Sequence, residues 1–300
     1  MSSLIRKIKK VITDPGIIPL IFIPQKLLSD RSFLRYKYCR MTGLKLNLKK
    51  PVLFNEKLQW LKLYDRKEEY RILADKYEAR KYIAHTIGEE YLIPIYGVWD
   101  RFEDIPFDTL PNEFVLKCNH DSGTILICRD KQSLNMKKTK AFFNKRLDRD
   151  YYFISREWCY KGIKPRIIAE KLMADESGIG LKDYKIFCFN GEPKIIEVDI
   201  GRFIDHKRNF YSPQWEYQYF VNEKPNAHPD AIEKPVTLDL MLDIARKLSA
   251  SKYHLRVDLY NVNDKVYCGE LTFYDGGGFN SYEPPEWNKI FGDWMKLPCD

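Results

Sequence analysis

Residues 253–273 read YHLRVDLYNVNDKVYCGELTF, and this stretch decides the fold. Apolar and polar residues alternate from Tyr253 to Tyr260. Asn261-Val262-Asn263-Asp264 supplies turn formers, and alternation resumes from Val266 to Phe273, the pattern of a β-hairpin. Strand side chains alternate between faces, so Arg256 and Asp258 share one face of the first strand, and Glu270 and Thr272 share one face of the second. Two carboxylates beside a guanidinium suit Mg²⁺ held against phosphates, because this hard ion takes few protein oxygens and completes its shell with water and substrate. A surface hairpin with a cross-strand arginine–carboxylate pair is the plain alternative for the same residues.

Around this hairpin lies a chain of 300 residues with 44% hydrophobic and 14% aromatic content, enough for a large core in two or three lobes and far from the composition of a disordered chain. The net charge of +8, from 50 basic and 42 acidic residues, favours anionic partners such as nucleotide phosphates, uronic acids or anionic lipid. Nucleic acid is not among the expected partners, since RNP, zinc-finger and related signatures are missing. Seven cysteines at positions 39, 118, 128, 159, 188, 268 and 299 show no CxxC spacing, which points to a reduced, cytoplasmic setting without structural zinc. At the amino end, Leu4 to Val11 is basic and amphipathic and Ile17 to Pro24 is apolar. That stretch is too short to span a bilayer; Arg6, Lys7, Lys9 and Lys10 beside it fit either a shallow peripheral contact at the inner membrane face or an arm packed on the main body.

Further along, periodicity predicts helices over Ser29–Tyr38, Asn55–Tyr64 (with Asn55 as cap), Ala74–Thr86, Leu134–Asp148 and Met241–Ser249. Strands are predicted over Tyr91–Trp99, Phe114–Lys117, Ile125–Cys128, Ile167–Met173, Tyr184–Phe189 and Lys194–Asp199, with Asn190-Gly191 as a hairpin turn. Lys117 ends an apolar strand at the loop Asn119-His120-Asp121-Ser122-Gly123-Thr124, whose small residues let backbone N–H groups approach phosphate oxygens, although this is not a Walker A motif. A hairpin loop with a solvated lysine fits equally. Asp75-Lys76 opens a helix and can bring a second ammonium to the phosphates or merely expose it. Glu170-Lys171-Leu172-Met173 offers a strand end for an adenine edge, and Asp183, after the Ser177-Gly178-Ile179-Gly180 loop, can accept a sugar hydroxyl. Cys118 reads as a packed thiol and His120 as a loop residue rather than a metal ligand.

In this order Asp75-Lys76, FVLKCNHDSGT (114–124), IIAEKLM (167–173), DYKIFCFNGEPKII (183–196), RNFY (208–211), LRVDLY (255–260) and GELTFYDGGGF (269–279) resemble the TupA-like ATP-grasp proteins, which are associated with teichuronopeptide and other bacterial surface-polysaccharide biosynthesis. The resemblance implies an α+β ATP-grasp fold: two lobes with antiparallel sheets clamping ATP, preceded by a helical section. The expected divisions are 1–70 for the helical arm, 71–169 for the lobe with the phosphate flap and 170–300 for the lobe with the Mg²⁺ site. By the same resemblance Lys76 and Lys117 contact the phosphates, Ser122, Gly123 and Thr124 form the flap, Glu170, Lys171 and Leu172 line the adenine pocket, and Asp183 holds the ribose. Asp258 and Glu270 ligate Mg²⁺ and Arg256 steadies the transferring phosphoryl group. Many ATP-grasp enzymes carry Asn where Thr272 stands; a hydroxyl is still an oxygen ligand, which leaves one or two metal ions open. Lys185, Asp199 and Arg208 match the pattern and are assigned to the acceptor side.

The implied activity is a carboxylate–amine ligase that forms an amide through an acyl phosphate, with an acidic sugar or polysaccharide precursor and an amine or amino acid as substrates. Arg256 and the backbone N–H groups of Gly276-Gly277-Gly278 are placed in sequence to stabilise an oxyanion, although the glycines also suit a tight turn alone. The rivals are an ATP-grasp kinase acting on a sugar hydroxyl and a non-catalytic basic module that binds acidic glycan or membrane.

Overall fold

The computed structural model describes residues 23–174, 181–201 and 205–298. The candidate membrane contact at the amino end and the Ser177–Gly180 loop lie outside these residues, except for Ile23 and Pro24. No helix among the described residues is long and apolar enough to cross a membrane.

Two antiparallel sheets carry the architecture. Strands β1 (Ile95–Trp99), β2 (Phe114–Cys118), β3 (Ile125–Cys128) and β4 (Ile167–Glu170) form the smaller one in the order β1-β4-β2-β3. The larger contains β5 (Asp183–Phe189), β6 (Glu192–Ile200), β7 (Lys207–Tyr211), β8 (His254–Val262) and β9 (Lys265–Thr272) in the order β7-β6-β5-β8-β9. Its hairpins turn where the sequence says they must: Asn190-Gly191 and Asn263-Asp264 both adopt positive φ, the requirement of a two-residue primed turn.

The helices are α1 (Asp30–Thr42), α2 (Phe54–Tyr64), α3 (Glu69–Ala74), α4 (Ala79–Ile87), α5 (Met136–Leu147), α6 (Tyr152–Ser155), α7 (Leu238–Ser249) and α8 (Glu286–Trp294). One face of the large sheet, with Tyr184, Ile186, Val257 and Leu259, shares a core with Met241, Ala245 and Leu248 of α7. The opposite face is covered at one end by α2 and α8, where Phe54 and Phe291 meet Phe187 and Phe189. A separate core joins the small sheet to Phe143 of α5.

Four local expectations change. The strand expected from Tyr91 begins at Ile95, after a 3₁₀ turn over Glu89–Tyr91. The single helix over Ala74–Thr86 is two, because Asp75 Oδ1 accepts the N–H groups of Tyr77 (2.8 Å) and Glu78 (3.2 Å) and starts a new helix there. Asn55 is not the cap of α2. The helix begins at Phe54, and Glu56 receives the free N–H groups of Val52 (2.9 Å) and Leu53 (3.1 Å), while Asn55 faces the interior. The strand expected over Ile167–Met173 stops at Glu170, beyond which the Lys171 N–H donates to the Pro94 carbonyl at 2.9 Å.

Core membership also groups the chain differently from the expected division at residue 70. Phe54, Leu58 and Leu61 of α2 and Leu73 of α3 belong to the core of the large sheet, so these helices contribute to the larger lobe rather than preceding it. β4 lies in the small sheet and runs to Glu170.

Candidate active site

The β8–β9 register places the four residues of the hairpin in a square. Asp258 stands directly opposite Glu270, and Arg256 directly opposite Thr272. A bulge at Gly269 adjusts the pairing between these pairs and the turn. Glycine leaves room there for the Tyr260 ring, from which a Cβ would lie 2.7 Å.

Arg256 ties the square together. Its guanidinium donates to both oxygens of Asp258 at 2.7 Å, to Thr272 Oγ1 at 3.2 Å, and through its remaining nitrogen to Asp275. Asp275 in turn accepts from Asn280 Nδ2 at 2.7 Å. Opposing carboxylates hold Arg256 well above its ordinary value even though burial acts against its charge. For Glu270 burial acts upward, yet Lys76, Arg256 and Lys117 together hold the carboxyl below its usual value. Asp258 goes the other way: burial, with Glu270 adding to it, pushes it up to about 6 despite Arg256 and Lys185.

Directly beside the square, β5 and β6 carry a second charged group. Lys185 stands opposite both Asp258 and Glu197 across its two neighbouring strands. Its ammonium is spent on Glu197 at 2.7 Å and on Asp199. Arg208 of β7 holds Asp199 at 2.7 Å and Glu197 at 3.0 Å. All four are buried. Burial opposes the ionisation of Asp199, but the bonds from Arg208 and Lys185 win and keep its pKa far below the usual range.

Charge balance separates the two groups. Lys185 and Arg208 cancel Glu197 and Asp199, two against two. Around the square, Arg256 and Lys76 face Asp258, Glu270 and Asp275, two against three, leaving one negative charge in excess. Such an excess in a partly buried cleft suits a cation. Among the described residues no group of three or more His, Cys, Asp or Glu side chains gathers as a self-sufficient metal cage. Two carboxylates and a hydroxyl, with the remaining positions left to water and phosphate, are a donor set of the kind Mg²⁺ takes. The residues present therefore fit that ion, with Asp258 and Glu270 as its holders. The Thr272 hydroxyl, the third expected ligand, here accepts from Arg256.

Between α3 and α4, whose Leu73, Ala74 and Ala79 belong to the core of the large sheet, Lys76 links the hairpin to the flap. Its ammonium lies 3.5 Å from Glu270 and donates to the Asp121 carbonyl, so it bridges the flap loop and the hairpin. Its backbone N–H donates to the Asn119 carbonyl at 3.2 Å, and Asn119 Nδ2 donates to Asp75 at 2.8 Å. Lys117 pairs with Glu170 at 2.5 Å within the small sheet. A crevice between the lobes is lined by Lys76, Arg80, Leu92, Glu170, Glu270 and Leu271. Thus Lys76, Glu170 and Glu270 meet at one place, with Lys117 one ion pair away.

The flap loop is buried at its base and exposed at its tip. Asn119, His120, Asp121 and Thr124 are buried, whereas Ser122 and Gly123 are exposed. His120 Nε2 contacts the Arg146 carbonyl at 3.1 Å, and burial pushes the Cys118 thiol up to about 12; neither group is poised for catalysis. Lys171 spends its N–H on Pro94, which removes that donor from an adenine edge in this conformation. Asp183, buried on β5, stands opposite Asp199 and Tyr260.

For the glycine run the structure shows the tight turn that the sequence also suits. Gly276, Gly277 and Gly278 all adopt positive φ in a tight turn, and the Gly277 N–H is taken by the Tyr274 carbonyl at 2.8 Å. Their carbonyls are bound as well, by side chains of α2: Gln59 Nε2 donates to the Gly278 carbonyl at 2.7 Å and Lys62 Nζ to that of Gly277 at 2.6 Å. These glycines serve the turn. Asp275, Asn280, Glu197, Gln59 and Lys62 are the residues near the site that sequence reading does not single out. The readable signal for the last two is their helical spacing with Asn55 along one side of α2.

The profile of a family described as TupA-like ATPgrasp matches residues 56–296. No curated protein matches the chain. Among solved structures, the chain is similar to D-alanine–D-alanine ligase from Bacillus anthracis complexed with ATP, at 17% identity, a TM-score of 0.39, and coverage of 67% of this chain and 54% of that one. The Helicobacter pylori D-alanine–D-alanine ligase shows 15% identity and a TM-score of 0.44 over 83% of this chain and 68% of that one. For N5-carboxyaminoimidazole ribonucleotide synthetase from Thermus thermophilus the values are 11% and 0.39, over 67% and 45%. This chain thus spans about half the length of the first and third of these proteins.

Proposed function

The chain belongs to the TupA-like ATP-grasp family, and from that premise we propose that it is an ATP-dependent carboxylate–amine ligase working through an acyl phosphate. The proposed acceptor is a uronic-acid-containing bacterial surface polysaccharide or its precursor, at the cytoplasmic side of the membrane, and the second substrate an amine or amino acid. The observation that carries this reading is the meeting of Lys76 with Glu270, the cross-strand partner of Asp258, in the crevice that Glu170 of the small sheet also lines.

A carboxylate is a poor electrophile, so one of its oxygens must become a leaving group before an amine can attack. In the proposed reaction a carboxylate oxygen attacks the γ-phosphorus of ATP, and the bond to the bridging oxygen breaks to release ADP. The amine lone pair then forms the C–N bond, phosphate departs with the C–O electron pair, and the amine proton passes to solvent. The protein's part is positioning and charge neutralisation. Lys76 and Lys117 would grip phosphate oxygens, Arg256 would steady the transferring group, and Ser122–Thr124 would close over it. Glu170 and Leu172 would flank adenine and Asp183 the ribose. Asp258 and Glu270 would hold Mg²⁺, which supplies neutralisation of phosphate charge when bound. Lys185, Asp199 and Arg208 would form the wall on the acceptor side.

Hydroxylamine tests the chemistry. A ligase incubated with ATP, Mg²⁺ and panels of uronic acids diverts its acyl phosphate to a hydroxamate, which is read colorimetrically alongside ADP release. ADP formation with phosphorylated sugar and no hydroxamate would instead establish a kinase, and absence of any Mg²⁺–ATP binding would leave only a binding module.

A further inference from the structure

Helix α2 buries a polar stripe. Asn55, Gln59 and Lys62, spaced i, i+4 and i+7, are all buried, an arrangement that is costly unless each group is satisfied. All three donate to one segment, the turn Asp275–Gly278 and its exit. Asn55 Nδ2 donates to the Asn280 carbonyl at 2.7 Å, and Gln59 Nε2 to the carbonyls of Gly278 at 2.7 Å and Gly277 at 3.2 Å. Lys62 Nζ donates to the Gly277 carbonyl at 2.6 Å, the Ser155 carbonyl at 2.9 Å and Gln59 Oε1 at 3.0 Å.

The turn needs that support. Three consecutive glycines at φ 53°, 63° and 68° lose more chain entropy on ordering than any other run of three. A Cβ at Gly276 would overlap the Asn280 amide at 1.7 Å, and that amide is the group that fixes Asp275. Asp275 then takes the one Arg256 nitrogen that points away from Asp258.

We infer that Asp275 is a positioning residue that retains the Arg256 guanidinium at the square when a divalent cation draws Asp258 away, and that the Asn55–Gln59–Lys62 stripe holds Asp275 in place for this exchange. Both Asp258 oxygens are engaged by Arg256, so an ion held by Asp258 competes with the guanidinium for the same carboxylate charge. A guanidinium with no other partner would cling to Asp258 and oppose the ion. Asp275 gives it a second carboxylate, and the exchange becomes a shift of one hydrogen-bonding edge rather than the loss of an ion pair. This inference rests on the metal site of the reading above and adds the residue that makes room for the ion.

The test titrates Mg²⁺ into full-length protein at a fixed concentration of the non-hydrolysable analogue AMPPNP, with nucleotide binding followed by calorimetry for the parent, Asp275→Asn and Gln59→Leu. Asp275→Asn should raise the Mg²⁺ concentration for half-maximal binding by about tenfold, the lower end of what losing a partner of a metal ligand costs. Gln59→Leu should move it in the same direction by a smaller factor. A folded Asp275→Asn protein, judged by its melting curve, with an unchanged Mg²⁺ midpoint overturns the inference. If that variant does not fold, an unchanged midpoint in Gln59→Leu overturns it instead. A parent protein that binds no AMPPNP at any Mg²⁺ concentration removes the metal site itself and the inference with it, an outcome visible before any variant is compared.

Discussion

Along β5 and β8 a single face of the large sheet changes character from one end to the other. At one end Lys185 pairs in register with Asp258; two residues on, Phe187 stands opposite Arg256; at the far end Phe189 stands opposite His254. Beside the charged half, Glu270 of β9 lines the crevice, and the aromatic half is sealed by Phe54, Phe291 and Trp294. The same period-2 geometry thus serves two ends: burial of rings where the sheet must be held, and carboxylates left partly uncompensated where a cation and phosphates are proposed to bind. Arg256 marks the border, with its guanidinium 5.9 Å from the Phe187 ring centre on one side and its hydrogen bonds to Asp258 on the other. The difference teaches that damage to the two halves should be read by different measurements.

The largest effect should come from the aromatic half. Phe291 is fully buried and its ring packs against those of Phe54, Phe187, Phe189, Phe220 and Trp294. Phe291→Ala should therefore cost about 3–5 kcal/mol of stability in urea denaturation, the range for emptying a packed aromatic site. A cost below about 1 kcal/mol would mean that the site collapses freely and that these rings do not hold the sheet. In the charged half, Asp258→Asn or Glu270→Gln should lower ATP turnover by at least about a hundredfold, the scale of losing one preorganised charge-stabilising group. Parent-level turnover in both variants would dissolve the proposed metal site and with it the division between the halves.

Much of this contrast can be read from the amino acids because both halves sit on strands whose faces alternate. The hairpin of β8 and β9 announces itself through Asn263-Asp264, and the facing of Arg256, Asp258, Glu270 and Thr272 follows from period alone. The strand β7 is legible only through the resemblance of RNFY, since a lone five-residue strand carries little periodic signal. Glu197 escapes notice for a physical reason: on a strand with one apolar face, alternating charges read as solvated, and nothing local says that this charged face is buried. The same holds for Gln59 and Lys62, which any helix reading assigns to solvent until the glycine turn is seen beneath them. Asp275 is set by contacts between segments far apart in the chain, and its partner Arg256 lies 19 residues away. The break at Asp75 is hidden because helical spacing of apolar residues continues across it, while a side-chain carboxylate competes for the N–H groups.

The smallest effect, and the one that sharpens the border most finely, concerns His254. Its Nδ1 donates to the Cys188 carbonyl at 3.0 Å and its ring lies edge-on to Phe54 at 5.0 Å between centres. Burial, which outweighs the attraction of Asp275, lowers its pKa from 6.5 to about 4. The neutral ring is therefore the native form. Between about pH 6.5 and pH 4 the unfolded chain binds a proton that the folded chain refuses, so stability falls as pH falls through that window, by about 1.4 kcal/mol per pH unit. Below about pH 4 the folded chain accepts the proton too and this contribution to the slope ends. His254→Phe keeps a ring in the cluster but removes the titration. Urea denaturation at pH 6.5, 5.5 and 4.5 should give a shallower decline in the variant than in the parent, by roughly one proton's worth of slope. Parallel declines would show that the imidazole is charged in the folded chain, and the aromatic half would then be open to water or counter-charge at its centre rather than sealed.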